Sequence, residues 1–227
     1  MKCSEICALI EQEYGTEYAC DWDNVGLLAG RSTKEVKKIL LSLYATDEVV
    51  RMAVEGGYDM LITHHPMLFS AIKRVTDQDM NGRRLLELIR NDISYYAMHT
   101  NYDTRGMADL AARLMGLTEC AVLEEVKDGE GIGRVGKLPH PMTLRECGEQ
   151  VKVAYGIPNV RLFGDPDTQV SLVGICPGAG KSTMPLALGF GCDVYITGDI
   201  DHHTGIDAVD QGMCIIDAGH YGVEHIF

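Results

Sequence analysis

Adjacent imidazoles at His64 and His65, between Thr63 and Pro66, are the side chains of this 227-residue chain whose type and spacing best suit metal chemistry. Imidazole nitrogen is a ligand for borderline divalent cations, and Leu61-Ile62-Thr63 would deliver the pair at the end of an apolar strand. Pro66 has no N–H to give to a ladder, so it stops the strand as the histidines emerge. A second polar cluster, His99-Thr100-Asn101-Tyr102-Asp103, follows the apolar run Ile93–Met98. In a third, His220 and Glu224 are spaced to share one helix face. Histidine and carboxylate without thiolate select Zn²⁺, Mn²⁺ or Fe²⁺. The candidate ligands are His64, His65, Asp103, His220 and Glu224. Neighbouring strand residues point oppositely, so His64 and His65 suit two metals, or one metal and an outer contact. Two carboxylates can bridge two cations, and a water shared by ions about 3.5–4 Å apart becomes hydroxide near neutral pH. His99 and His203 stand as acid/base groups or outer ligands. The plainer alternative is a capped strand end with structural histidines. Three separate strand ends supplying His or Asp, in a chain with eight histidines, favour the metal.

The elements that must position these residues follow from periodicity. Cys3, Ile6, Cys7, Ile10 and Tyr14 have helical spacing that Gly15 ends. The stretch 18–30 around Trp22 is rich in turn formers, and Asp21, Asp23 and Asn24 are read there as turn residues before ligands. Ile39–Tyr44 is a buried strand, Asp47 caps a helix over 48–55, and Tyr58–Thr63 is the next strand, giving a β-α-β unit. A helix around Gly82–Arg90 leads to the strand 93–98. Polar chemistry just past the C-terminal strand ends matches the rim where sites form in parallel α/β sheets. Gly57-Tyr-Asp-Met-Leu-Ile-Thr63 recurs as Gly191-Cys-Asp-Val-Tyr-Ile-Thr197, each after a strand and a helix and before a strand ending in histidine, which indicates a duplicated α/β unit. Between them, 117–168 reads as a structural strand–helix insert with a capping box at Thr143-x-x-Glu146 and a stop at Gly156. The expected organisation is a first half 1–116 with the His64/His65/Asp103 rim, the insert 117–168, and a second half 169–227 with the His220/Glu224 rim.

Composition limits the partners. The chain is 46% hydrophobic and 23% charged, ordinary globular usage, with a net charge of −13 that repels a phosphate backbone and argues against nucleic-acid binding. No apolar run reaches the roughly 18 residues of a membrane helix, and Met1-Lys2-Cys3-Ser4-Glu5 offers no apolar signal core, so a cytoplasmic protein without membrane contact is expected. The eight cysteines include no C-x-x-C pair and read as buried thiols in a reducing compartment. Gly174-Ile-Cys-Pro-Gly-Ala-Gly-Lys181-Ser182 imitates a phosphate-binding loop but has Ile175 where that pattern requires glycine, so a tight strand-to-helix turn is the favoured reading.

Together the motifs Trp22-Asp-Asn-Val-Gly-Leu27 with Leu28, Thr63-His-His-Pro66, His99-Thr-Asn-Tyr-Asp103, Gly131-Ile-Gly-Arg-Val-Gly-Lys-Leu-Pro139, Gly198-Asp-Ile-Asp-His-His203 and Asp217-Ala-Gly-His-Tyr-Gly-Val-Glu224 cover nearly the whole chain. In that order they resemble the dinuclear-metal family of GTP cyclohydrolase 1 type 2 homologues. The resemblance implies two intertwined three-layer α/β/α halves, a toroidal homohexamer, and two divalent metals per chain (Zn, Fe or Mn) on His64, His65, Asp103, His220 and Glu224 with the carboxylates bridging. Members of that family usually continue past the last motif with a further helix and strand, whereas this chain ends at Phe227. The function expected is metal-dependent hydrolysis of a nucleotide-like or phosphorylated small molecule, with hydroxide as nucleophile and His99 or His203 moving protons. The alternatives are a non-catalytic metal carrier or hexameric regulatory scaffold, and a nucleotide-binding protein using the Gly178–Ser182 loop.

Overall fold

Alternation of apolar strands with amphipathic helices builds one sheet in each of two units, Met1–Tyr102 and Asp103–Phe227, of the computed structural model, which describes residues 1–227. The first unit runs α1 (Cys3–Glu13), β1 (Gly26–Ala29), β2 (Ile39–Ser42), α2 (Asp47–Glu55), β3 (Met60–Thr63), α3 (Met80–Arg90), β4 (Ser94–Ala97) and the short α4 (Thr100–Tyr102). Its sheet has the order β1-β4-β3-β2, with β1 antiparallel to β4 and the other pairs parallel. Every residue of β3 and β4 is buried, because helices lie on both faces of a parallel sheet. Leu61, Tyr95 and Ala97 pack with Val50 and Ala53 of α2 and Leu85 and Leu88 of α3. The intervening Met60, Ile62 and Tyr96 are buried too, and the Tyr96 hydroxyl donates to Glu11 of α1. Full burial of side chains of this size contributes about 1.5–3 kcal/mol each. The α2 cap differs from the sequence expectation. Thr46, with extended backbone, accepts from the Val49 N–H, while Asp47 is the first helical residue and bonds Arg84 at 2.6 Å.

The second unit opens with a π-helical turn (Asp103–Met107) and α5 (Ala108–Leu114). A hairpin follows, β5 (Thr118–Lys127) and β6 (Glu130–Thr143), then α6 (Leu144–Tyr155), β7 (Arg161–Phe163), β8 (Gln169–Ile175), α7 (Met184–Gly189), β9 (Val194–Thr197), α8 (His202–Asp210), β10 (Cys214–Asp217) and α9 (His220–Glu224). The sheet order is β5-β6-β8-β9-β10-β7. Val194, Ile196 and Ile216 face α5 and α6, while Tyr195 and Ile215 face α7 and α8, so this unit has three layers. The capping box of α6 is present, and Gly156 ends that helix in the left-handed region.

Four strands repeat with order and polarity conserved. In the second unit β7-β10-β9-β8 reproduces β1-β4-β3-β2, with β7 antiparallel to β10 and the rest parallel. The repeated aspartates do the same work: Asp59 accepts the N–H groups of Lys37 and Lys38 beside β2, and Asp193 those of Ser171 and Leu172 in β8. The fold is therefore a duplicated α/β unit. The stretch 117–168 supplies α6 and β7, counterparts of α1 and β1, together with the extra hairpin. That hairpin covers the outer edge of β8, whereas β2, expected as a buried strand, is the open edge of its sheet with Leu41 62% exposed. No helix is long and apolar enough to cross a membrane.

Candidate metal centre

Three imidazoles of the first unit converge just beyond the strand ends. His64 and His65 follow β3, His99 follows β4, and one ligand nitrogen from each lies within 4.8 Å of the others. Parallel pairing explains the meeting, since Thr63 lies opposite Ala97 and both chains leave the sheet at the same level. His64 is fully buried, and its Nδ1 lies 3.0 Å from the Met98 carbonyl. A carbonyl only accepts, so Nδ1 carries the proton and Nε2 holds the ligand lone pair. His65 stacks on Tyr44, with ring centroids 4.5 Å apart at 12°.

His99 is oriented by a carboxylate that the sequence assigned to turn formation. Both oxygens of Asp23 lie 3.0–3.1 Å from its Nδ1, and Asp23 also accepts from the Thr100 N–H and hydroxyl. Asp23 does cap its own turn, accepting from the Asn24 N–H, but its long-range role is the larger. Burial pushes its pKa up, and the hydrogen bonds from His99 and Thr100 with the His99 charge overcome that, leaving it at about 2. A carboxylate behind an imidazole fixes ring and tautomer and raises ligand basicity, as in many metal sites.

In the second unit, His220 and Glu224 stand on one face of α9, with Nε2 3.0 Å from Oε2. Asp199 lies 2.8 Å from His220 Nδ1, repeating the carboxylate–imidazole arrangement. Hydrogen bonding to Glu224 is the main reason the His220 pKa rises from 6.5 to about 9; burial opposes this and Asp199 adds to it. An imidazole nitrogen 3.0 Å from a carboxylate oxygen is a nitrogen–oxygen donor pair of the kind that divalent cations take. Asp103 begins the π-helical turn, an irregularity frequent at functional sites. Arg134, from the Gly131–Pro139 motif, secures that segment. It is buried, forks onto Asp109 at 2.6 and 2.8 Å, and reaches the Gly131, Gly133 and Thr104 carbonyls. Sequence pattern alone assigns Arg134 no role, because a strand arginine reveals its partners only once the chain has folded.

The loop resembling a phosphate cradle is committed to internal bonds. The Gly180 N–H donates to Thr197, the Gly178 carbonyl accepts from the Gly198 N–H, and Lys181 pairs with Asp201 at 2.6 Å. Gly178 has a second use, because a Cβ there would lie 2.4 Å from Oε1 of Glu224. His203 is exposed in the first turn of α8, beside His202, and joins neither cluster.

A duplicated α/β fold whose strand ends carry carboxylate-backed histidines defines a class of candidate metalloprotein. The chain belongs to the Duf34/NIF3 (NGG1p interacting factor 3) family, whose model matches residues 1–227. It is 35% identical over 228 residues to the GTP cyclohydrolase 1 type 2 homolog of Clostridium perfringens, covering 99% of this chain and 87% of that protein. The protein of the same name from Streptococcus pneumoniae is 34% identical over 233 residues, covering 100% and 87%. Among solved structures, a Bacillus cereus protein related to NIF3 superposes with a TM-score of 0.93 at 24% identity, over 98% of this chain and 89% of that one. Reduced HcgD from Methanocaldococcus jannaschii gives 0.86 at 32% identity, over 99% and 89%.

Proposed function

We propose that the protein binds two divalent metal ions through His64, His65, Asp103, His220 and Glu224, and hydrolyses a nucleotide-like or phosphorylated small molecule. The observation that carries the metal reading is the pair of imidazoles His64 and His220, each with Nδ1 against an acceptor-only oxygen. That arrangement presents Nε2 as the donor, which suits a borderline cation, and carboxylates complete a nitrogen–oxygen donor set. Bound divalent ions would supply a water acidified toward neutral pH and polarisation of the electrophile. The chain's own residues supply orientation: Met98, Asp23 and Asp199 fix the rings, and Arg134 fixes the turn that begins at Asp103. His99, held by Asp23, is the better placed of the two proton-transfer candidates, since His203 lies exposed on α8.

The substrate class rests on the relatives named GTP cyclohydrolase 1 type 2 homolog. A homohexamer and a cytoplasmic location belong to the same proposal, and the uncovered edge at β2 supports association between copies. The test is elemental analysis of metal-reconstituted protein beside His64→Ala and Asp103→Ala, followed by turnover assays on nucleotides and phosphoesters. About two metals per chain, lost in the variants together with turnover, is the expected result. Less than one metal per chain refutes the site. Full metal occupancy without turnover refutes the hydrolase and leaves a metal carrier.

A further inference from the structure

The only tryptophan of the chain, Trp22, is 59% exposed, and Phe69 beside it is 54% exposed. Their ring centroids are 5.7 Å apart, and both rings meet His99 edge-on, at 6.1 and 6.5 Å. Exposing much of two neighbouring rings is costly, since each aromatic side chain can bury about 150–250 Å². The rings are nonetheless held in place. Asp23, next to Trp22, is tied to His99 and Thr100, and Asn24 donates through Nδ2 to the carbonyl of Leu68, next to Phe69, at 2.6 Å. One hydrogen-bonded frame therefore fixes the Trp22 loop, the Phe69 loop and the imidazole His99.

We propose that Trp22 and Phe69 form a stacking platform for a planar heteroaromatic ring of purine size at the rim of the His64/His65/His99 cluster. The proposal rests on the nucleotide-like substrate reading for the choice of ring and on the metal-site reading for what lies beside it, whereas stacking itself needs no cation. A ring between the two side chains would require a separation of about 7 Å, twice the usual contact distance, so the ligand stacks on their open faces. Base–aromatic stacking depends on the π face, so the platform accepts purines broadly. A patch of two rings suits one base and is too small for a stable protein interface.

Because Trp22 is the sole tryptophan, its emission reports directly on this platform. The full chain, with and without added Mn²⁺, is titrated with guanosine, GMP and ribose 5-phosphate. Guanosine and GMP are expected to quench the emission saturably in both states, and ribose 5-phosphate to leave it unchanged. By calorimetry, Trp22→Ala should weaken GMP binding about 5- to 150-fold, with Trp22→Phe restoring most of it and metal content equal in all three proteins. Equal GMP affinity in Trp22→Ala and the parent protein overturns the proposal, as does ribose 5-phosphate binding as tightly as GMP. Emission that changes with protein concentration and not with guanosine also overturns it, marking the patch as a contact between copies. If guanosine quenches but no Mn²⁺ binds, the platform stands and the metal reading fails.

Discussion

Gly178 offers a controlled test of Glu224 as a ligand. Its φ is +78°, its carbonyl is anchored by Gly198 and Thr197, and a Cβ would lie 2.4 Å from Glu224 Oε1. Ordinary contact begins near 3.4 Å, so in Gly178→Ala the carboxylate must withdraw by about 1 Å. Productive metal geometry tolerates about 0.5 Å. Gly129, at the tip of the β5–β6 hairpin, has the same φ of +78° with nothing within 4 Å of its Cβ. Gly129→Ala therefore carries the backbone cost alone, about 1–2 kcal/mol, which lowers Tm by about 2–8 °C. Gly178→Ala should show a similar loss in a circular-dichroism melt of the metal-free protein. In a metal titration against a competing chelator it should also bind about 10- to 100-fold more weakly, while Gly129→Ala binds like the parent. Equal metal affinity in the two variants would show that Glu224 is not a ligand in this position.

Three further outcomes follow from other parts of the structure. The Asp23 side chain is fully buried, and the gap between the ordinary 3.8 and about 2 is worth about 2 kcal/mol. A carboxyl depressed by folding stabilises above its unfolded pKa and loses that contribution as pH falls through its folded one. In metal-free urea unfolding, the advantage of the parent over Asp23→Asn should therefore shrink by about 2 kcal/mol between pH 5 and pH 2; a constant difference refutes the depressed carboxylate. Thr143→Ala removes the hydroxyl half of the α6 capping box and should cost about 1 kcal/mol, lowering Tm by about 2–4 °C; an unchanged melt refutes the cap. Leu41→Arg puts a charge on the open β2 edge and should reduce the mass found by light scattering, whereas an unchanged assembly would exclude that edge from the interface.

Much of the fold was legible because the duplicated segments carry their own structural instruction. In Gly-x-Asp-apolar-apolar-Ile-Thr the Asp takes two backbone N–H groups near the neighbouring strand, and the apolar run then fills a strand buried on both faces. Such interactions depend on residue type and short spacing, which sequence displays. Asp23 has the sequence signature of a local turn former because its bond to His99 spans 76 residues. Arg134 was hidden for the same reason, since its carboxylate partner Asp109 is 25 residues away. The α2 cap fell one residue from its expected place because Thr46 and Asp47 are both good caps, and the pull of Arg84 on Asp47 is tertiary.

The two units diverge where chemistry begins. Thr63 and Thr197 occupy equivalent strand positions, opposite Ala97 and Asp217, yet His64-His65 follows the first and Gly198-Asp199 the second. In the second unit the residue equivalent to His65 is Asp199, held at a φ of +58° with its carboxylate on His220 Nδ1. In the first, the imidazole after β4 receives its carboxylate from the Trp22 loop instead. His220 comes three residues beyond β10 and His99 two beyond β4, so the imidazoles are not register equivalents. Both units nevertheless reach the same local arrangement, a carboxylate behind Nδ1 of an imidazole just past a strand end. Inherited backbone explains the shared strand ends, but it cannot explain the same pairing built from non-equivalent residues. What the two rims share is an imidazole whose ring and tautomer are fixed by a carboxylate, an arrangement that suits cation binding at one rim and proton transfer at the other.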